Sequence, residues 1–383
     1  MTVRIEKLVQ GGRGFAHLDS NKSLFVEGAL AGELVEVEID SEKKNYANAH
    51  VVEILEPSPL RVVPPCPYWG VCGGCDLQHL NPSEQALLKH QLVLENLQRV
   101  GGLDPASFSL EDVASGPAWN YRSRVRFHVD LPKKEIGFLA KKTNTLIPID
   151  YCPVLVDELN EVLHEKQGIL DAARQVMFSN ASSKNRYIEV PAFAGDSEVS
   201  FGDKVVQATV EGHRFFVTAN VFFQGNRFLL PTMADFVRDH VLGSVVMDLY
   251  SGVGTFSSFL VQEGRKLIAV EKQKQCLVLA KRNVNSVQFY TDAVESWGKN
   301  QKLQVDTVVV DPPRTGLEDS VPALLASWKP TRIIYVSCDS VTLSRDLQRF
   351  AQQGYTVRTG KVFDLYPQTS HQEVVIVLDK EER

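Results

Sequence analysis

The sequence predicts an α/β carboxyl-terminal domain preceded by two smaller, mainly β modules. Three observations predict it. Short apolar runs alternate with helical segments from Val245 onward, a glycine-rich turn (Ser251-Gly252-Val253-Gly254) follows the first of those runs, and glycine-punctuated strand patterns fill residues 1–57. The chain has 383 residues, which at roughly 150 residues per domain allows two or three domains, each with its own core. Apolar residues at 44% and charged residues at 23% exclude a disordered or fibrous chain. No apolar run reaches the ~18 residues of a membrane helix, and Met1 to Gln10 lacks the apolar stretch of a secretory signal. A cytoplasmic protein without membrane contact, and a monomer, is expected. The net charge of −6 means that any nucleic-acid contact must come from local basic patches.

Residues 1–57 alternate apolar and polar positions in runs such as Ser23 to Val26 and Leu34 to Ile39, with glycines between them. That pattern predicts a small β-barrel. Pro57-Ser58-Pro59 and Pro64-Pro65 mark its end. Over residues 82–100 Leu87, Leu88 and Leu92 recur with a helical period, opened by Asn81 and Pro82 and closed by Gly101-Gly102. This helix is free to pack on the carboxyl-terminal domain. From Tyr121 to about residue 212 the pattern is again mostly β, with a helix near 155–177. The expected division is 1–57, 58–212 and 213–383.

In the last part, Val245 to Tyr250 is a buried-strand pattern and the Gly252/Gly254 turn lets the backbone approach a ligand closely. Glu271 ends the second strand, 21 residues after Tyr250, where an acidic side chain can accept hydrogen bonds from ribose hydroxyls. The third strand leads to Asp292, expected to face an adenine ring, and the fourth ends in Asp311-Pro312-Pro313-Arg314. This ordered series resembles the class I methyltransferase fold, whose cofactor is S-adenosylmethionine. The third glycine of a dinucleotide-binding G-x-G-x-x-G turn is missing.

Cys338 closes the fifth strand, and Glu373 opens the last strand 35 residues later. Ligands of open α/β sheets bind outside the carboxyl ends of strands. A thiolate and a carboxylate at such an edge suit one chemistry well. Carbon 5 of uracil is a poor nucleophile, and a thiolate added at carbon 6 makes it reactive toward a methyl donor. A base must then remove the carbon 5 proton so that the thiolate can leave. Cys276, early in a helix, is expected to be structural. The remaining cysteines, Cys66, Cys72, Cys75 and Cys152, give C-x5-C-x2-C plus a distant fourth thiol. Four thiolates suit structural zinc or an iron–sulfur cluster equally well, and spacing does not separate them.

Taken together, these residues resemble the bacterial RNA uracil-5 methyltransferases, particularly the 23S ribosomal RNA branch, over nearly the whole chain. Gly11-Gly12-Arg13-Gly14 and Phe25 to Leu30 resemble the TRAM domain, an OB-like RNA-binding module. The C-x5-C-G-G-C run with Cys152 resembles the family's 4Fe-4S site. Phe222 to Asn226 resembles its F-x-Q-x-N segment, and Asp311 to Arg314, Ser337-Cys338-Asp339 and His371-Gln372-Glu373 its catalytic motifs. The resemblance implies a TRAM module, a central module with the cluster, and a methyltransferase domain. It implies Cys338 as nucleophile, Glu373 as base, and cofactor contacts at Gln224, Tyr250, Thr255, Glu271, Asp292 and Asp311. Thr255 and Asp292 stand where relatives often carry Asn.

The implied partner is RNA, ribosomal in preference to transfer RNA. The first module holds 6 Lys plus Arg against 10 Asp plus Glu, so the better basic patch is Arg122, Arg124 and Arg126, with Tyr121 and Phe127 expected to stack on bases. Two other readings compete. An amino-group methyltransferase would carry an aromatic residue where Arg314 stands. A non-catalytic, metal-stabilised RNA-binding protein would not need the Cys338 and Glu373 pair.

Overall fold

The computed structural model describes residues 1–18, 21–179, 186–299 and 301–381. Strands β1 (Thr2–Arg4), β2 (Lys7–Val9), β3 (Arg13–His17), β4 (Ser23–Glu27), β5 (Leu34–Glu42) and β6 (Tyr46–Glu56) form one sheet in the order β1-β5-β6-β4-β3-β2. Alternate residues close a single apolar core: Leu24 and Val26 of β4, Val35 and Val37 of β5, Ala47 and Ala49 of β6. This is the burial of period two that the alternating sequence requires. Helix α1 (Pro82–Arg99) begins where its capping signal lies: the Asn81 side chain accepts from the Ser83 N–H, and Pro82 fills the first helical position.

After β7 (Ser109–Ala114) come β8 (Arg124–Asp130), β9 (Glu135–Leu139), β10 (Leu146–Pro148), α2 (Asp157–Glu165), α3 (Gln167–Ser179), β11 (Ile188–Ala194) and β12 (Val199–Phe201). Strands β8 to β12 make an antiparallel sheet in the order β10-β9-β8-β11-β12, covered by α2 and α3. The single helix expected near 155–177 is two, broken at Lys166, whose φ of 63° ends the first. Burial alternates through β8. Tyr121 and Phe127 are 0% exposed, so they are core residues and do not stack on RNA bases as expected. The arginines point the other way and have protein partners. Arg126 pairs with Glu189 at 2.9 Å, Arg124 donates to the Ala219 carbonyl at 3.2 Å, and Arg122 donates to the Arg124 carbonyl at 3.0 Å.

The rest of the chain is β13 (Val206–Val210), β14 (His213–Val217), α4 (Leu230–Asp239), β15 (Val245–Leu249), α5 (Thr255–Leu260), β16 (Lys266–Glu271), α6 (Lys274–Asn283), β17 (Val287–Thr291), α7 (Val294–Gly298), β18 (Thr307–Val310), α8 (Val321–Ser327), β19 (Arg332–Ser337), α9 (Ser340–Ala351), β20 (Tyr355–Phe363) and β21 (Glu373–Lys380). An eight-stranded sheet runs in the order β17-β16-β15-β18-β19-β21-β20-β7. Strands β15 to β19 pair in parallel, and β21 enters antiparallel between β19 and β20. Both faces are covered. Val309, Ile334 and Val336 face one core, while Val308, Ile333 and Tyr335 face the other. That is why these strands read as unbroken apolar runs.

Segment 82–114 joins this sheet rather than the central one. β7 is its edge strand, parallel to β20, and Val93 and Leu97 of α1 share a core with Met247 and Ile333. The expected division at 212 falls inside the β13–β14 hairpin, whose Phe215 and Val217 pack with Phe256 and Phe259.

α1 is fastened by a buried ion pair. Lys89 Nζ lies 2.5 Å from Asp364 Oδ1 and donates to the Tyr366 carbonyl at 2.9 Å. Burial pulls the lysine below its usual range and pushes the carboxyl above its own, and each charge opposes the other's shift. Removing one member of such a pair strands a buried charge. Lys89→Ala should cost about 3–5 kcal/mol in urea unfolding, whereas Lys89→Met combined with Asp364→Leu should recover most of that loss.

Candidate active site

Five parallel strands deliver their carboxyl ends to one edge of the sheet. Tyr250 follows β15, Glu271 ends β16, Asp292 follows β17, Asp311 follows β18 and Cys338 follows β19. Strand β21 runs the other way, and its register pairs Val374 with Ser337. The amino end of β21, Glu373, is therefore brought beside Cys338. Both border a cavity of about 440 Å³ that Gln224, Tyr250, Thr255, Glu271 and Asp311 also line. Asp292 does not line it. It borders a smaller cavity of about 50 Å³ next door, and Tyr250 and Lys272 border both.

The turn after β15 is bent by three left-handed residues, Tyr250 (φ 62°), Gly252 (φ 55°) and Gly254 (φ 80°). The glycines adopt this geometry without penalty. Tyr250 carries a side chain there, at a cost of about 1–3 kcal/mol. Helix α5 starts at Thr255, directly after Gly254. Glu271 is fixed by the same turn. Its Oε2 accepts from the Gly252 N–H at 3.0 Å and its Oε1 from the Gln273 N–H at 2.6 Å. Each carboxylate oxygen has a second lone pair left for a ligand hydroxyl. Gln224 is almost fully buried, and its Oε1 accepts from the Tyr366 hydroxyl at 3.2 Å.

Burial dominates the electrostatics. It pushes the Cys338 thiol up to about 12, helped by the negative charges of Glu373 and Asp311 and opposed by Arg314. Burial, then Asp311, raises Glu373 well above the carboxylate range, with Arg314 again opposing. Asp311 is pushed up to about 7 by burial and by Asp248, and Asp248 to about 7 by burial against the hydrogen bond from Ser257. A carboxylate with raised proton affinity is a stronger base. Arg314 is the cation among the charges acting on Cys338, and so the group that favours its thiolate.

Several lining residues carry no role assigned from sequence, although His371 and Phe222 stand in the motifs named there. Tyr366 and His371 reach the cavity from the segment leading into Glu373, and Phe222 from the segment before Gln224. An aromatic residue and a histidine within seven positions of a candidate base were the available signal. Cys276, read as structural, is buried at the cavity wall, and burial pushes its thiol up to about 11.

The four other cysteines line a second cavity, of about 270 Å³. Cys66, Cys72 and Cys75 reach it from one loop and Cys152 from the segment before α2. Its other lining residues include Arg122 but no carboxylate or imidazole. Among the described residues, no three Cys, His, Asp or Glu side chains converge as ligands of one ion. Burial raises Cys72, pushes Cys75 up to about 12 and Cys152 to about 11, as for thiols held away from water.

Comparison with known proteins agrees with this geometry. The family profile for tRNA (uracil-5-)-methyltransferases matches residues 299–381, and that of the TRAM domain matches residues 1–52. The chain is 31% identical to a 23S rRNA (uracil(1939)-C(5))-methyltransferase of Alkalilimnicola ehrlichii, over 99% of this chain and 96% of that one. The chain belongs to the RNA uracil-5 methyltransferase family.

An uncharacterized RNA methyltransferase of Treponema denticola is 30% identical over 99% of this chain and 98% of its own. The fold matches the crystal structure of Pyrococcus abyssi tRNA (uracil-54, C5)-methyltransferase with S-adenosyl-L-homocysteine, at a TM-score of 0.75 and 24% identity over 99% of both chains. The protein is thus an S-adenosylmethionine-dependent RNA uracil-C5 methyltransferase, with an amino-terminal TRAM domain and a carboxyl-terminal class I methyltransferase fold. No helix among the described residues is long and apolar enough to cross a membrane.

The buried carboxyls give this methyltransferase a definite pH response. Asp248 binds its proton more tightly folded than unfolded, so stability is full below the unfolded value of 3.8 and is lost as pH rises through about 7. The unfolding free energy of the cofactor-free protein should fall across that window, by up to about 1.4 kcal/mol per pH unit for each such group. Asp248→Asn should flatten the slope, in urea titrations at a series of pH values, because it also relieves Asp311 of a neighbouring charge.

Proposed function

We propose that this methyltransferase modifies a uridine of 23S ribosomal RNA, with Cys338 as the nucleophile and Glu373 as the base. The observation that carries this reading is their meeting in one cavity with the glycine turn, Glu271 and Asp311. Cys338, deprotonated beside Arg314, adds to carbon 6 of the uracil and leaves carbon 5 electron-rich. S-adenosylmethionine supplies the electrophilic methyl group. Glu373 then takes the carbon 5 proton, the C5–C6 double bond reforms, and the sulfur leaves carbon 6. Glu271 would accept from ribose hydroxyls, the turn from Tyr250 to Thr255 would cradle the amino-acid moiety, and Asp292 would border the adenine end. Gln224 and Asp311, which line the same cavity, would also contact the cofactor. The ribosomal substrate is supported by relatives near 30% identity that carry that activity in their names.

Cys338→Ala should abolish methylation. Glu373→Gln should differ in kind: addition and methyl transfer proceed, elimination fails, and a methylated RNA–protein adduct survives denaturing electrophoresis. Normal turnover of Glu373→Gln without adduct would place the base elsewhere. Mapping 5-methyluridine in 23S and transfer RNA from a strain lacking the gene tests the substrate.

Cys66, Cys72, Cys75 and Cys152 would hold a 4Fe-4S cluster in the central module. A cavity whose soft ligands are four thiols, bordered by Arg122 and Arg126 and by no carboxylate or imidazole, suits an anionic thiolate cluster. Anaerobically purified protein should contain iron and acid-labile sulfide and absorb broadly in the visible. Cys72→Ser should lose the iron and destabilise the central module. Zinc without iron would overturn this assignment.

A further inference from the structure

Among the described residues, the Glu373 carboxylate receives no hydrogen bond from any protein group, although the residue is 2% exposed. Its aim is therefore set by its backbone. On one side that backbone is β21, hydrogen-bonded on both edges. On the other it is the segment 364–372, and there a carboxylate from the cysteine loop takes hold. Asp76 Oδ2 accepts from the Ser370 N–H at 3.1 Å and from the Ser370 hydroxyl at 2.9 Å. The N–H groups of Asp76 and Leu77 both donate to the Gln368 carbonyl at 2.9 Å. Asp76 is braced in turn from its far side. Its Oδ1 lies 3.0 Å from Lys141 Nζ, which lies 2.7 Å from Glu27 on β4 of the TRAM domain.

We propose that Asp76 is a positioning residue for Glu373: by pinning Ser370, three residues upstream, it sets where β21 starts and where the base points. The inference rests on Glu373 being the base. In the step concerned, Glu373 takes the proton from carbon 5, the C–H electron pair forms the C5–C6 double bond, and the C–S pair departs on Cys338. Asp76 touches none of these atoms. Its effect falls chiefly on elimination, because Cys338, Asp311 and Glu271 are carried by the ends of other strands. A displacement near 1 Å slows such a step on the order of 100-fold.

The test uses the full-length protein, total RNA from a strain lacking the gene, and S-adenosylmethionine labelled in its methyl group. Asp76→Ala should lower kcat on the order of 100-fold with little change in KM for the cofactor. Labelled RNA–protein adduct should accumulate, which a general loss of structure would reduce instead. Ser370→Ala, lying outside the cysteine loop and retaining the backbone N–H, should show the same adduct to a smaller degree. Ser370→Thr, which keeps the hydroxyl, should restore turnover. The Asp76→Ala/Ser370→Ala double variant should be no slower than Asp76→Ala, as for two residues acting through one contact. Slow turnover without adduct in both single variants, or additive losses in the double, would overturn the proposal if Glu373→Gln forms adduct alongside. If Glu373→Gln forms none, the base assignment is what fails.

Discussion

The direction of one strand governs this site. A parallel ladder can bring only strand ends to its carboxyl edge, and each end contributes whatever residue follows the last paired position. Cys338, Asp311 and Glu271 arrive in that way. A base at the first residue of a strand could not. By entering antiparallel beside β19, β21 turns its beginning toward the same edge. The nucleophile and the proposed base then lie directly beyond the last pair of that ladder, Ser337 with Val374. Because both faces of the sheet are covered, the pair stands in a buried setting that raises the proton affinity of Cys338 and Glu373.

The parts legible in the sequence were those whose cause is local. The glycine turn, the acidic residue closing the second strand and the Asp-Pro-Pro-Arg run depend on torsion angles and on burial of short apolar runs, which leave a mark within a few residues. The Asn81-Pro82 start of α1 was legible for the same reason. The β8 face was misread although its pattern was present. Alternation that sends Arg122, Arg124 and Arg126 outward must send Tyr121 and Phe127 inward, so the aromatics could not share the arginine face.

What stayed hidden depends on contacts across long stretches of chain. Asp76 meets Ser370 across 294 positions, and Lys89 meets Asp364 across 275. Neither acid stands in a pattern that distinguishes it from a solvated one. Asp292 shows the middle case. Its place after the third strand was legible, yet the structure puts it in the smaller cavity beyond Tyr250, because the side chains between neighbouring strand ends divide the edge into two spaces.

Strand β7 has a bearing on how the chain assembles. It completes the edge of the eight-stranded sheet, but Ser109 pairs with Thr359, so about 250 residues must leave the ribosome before the strand meets its neighbour. Synthesis at roughly 5–20 residues per second makes that a wait of tens of seconds. During it the five-stranded sheet has its whole sequence available and can fold first. A fragment beginning after β7 would leave β20 with an open edge, the kind of surface that recruits strands from other chains. The methyltransferase layer is thus continuous in space and divided in sequence, and the segment carrying Cys152 is in effect an insertion between its first strand and the rest.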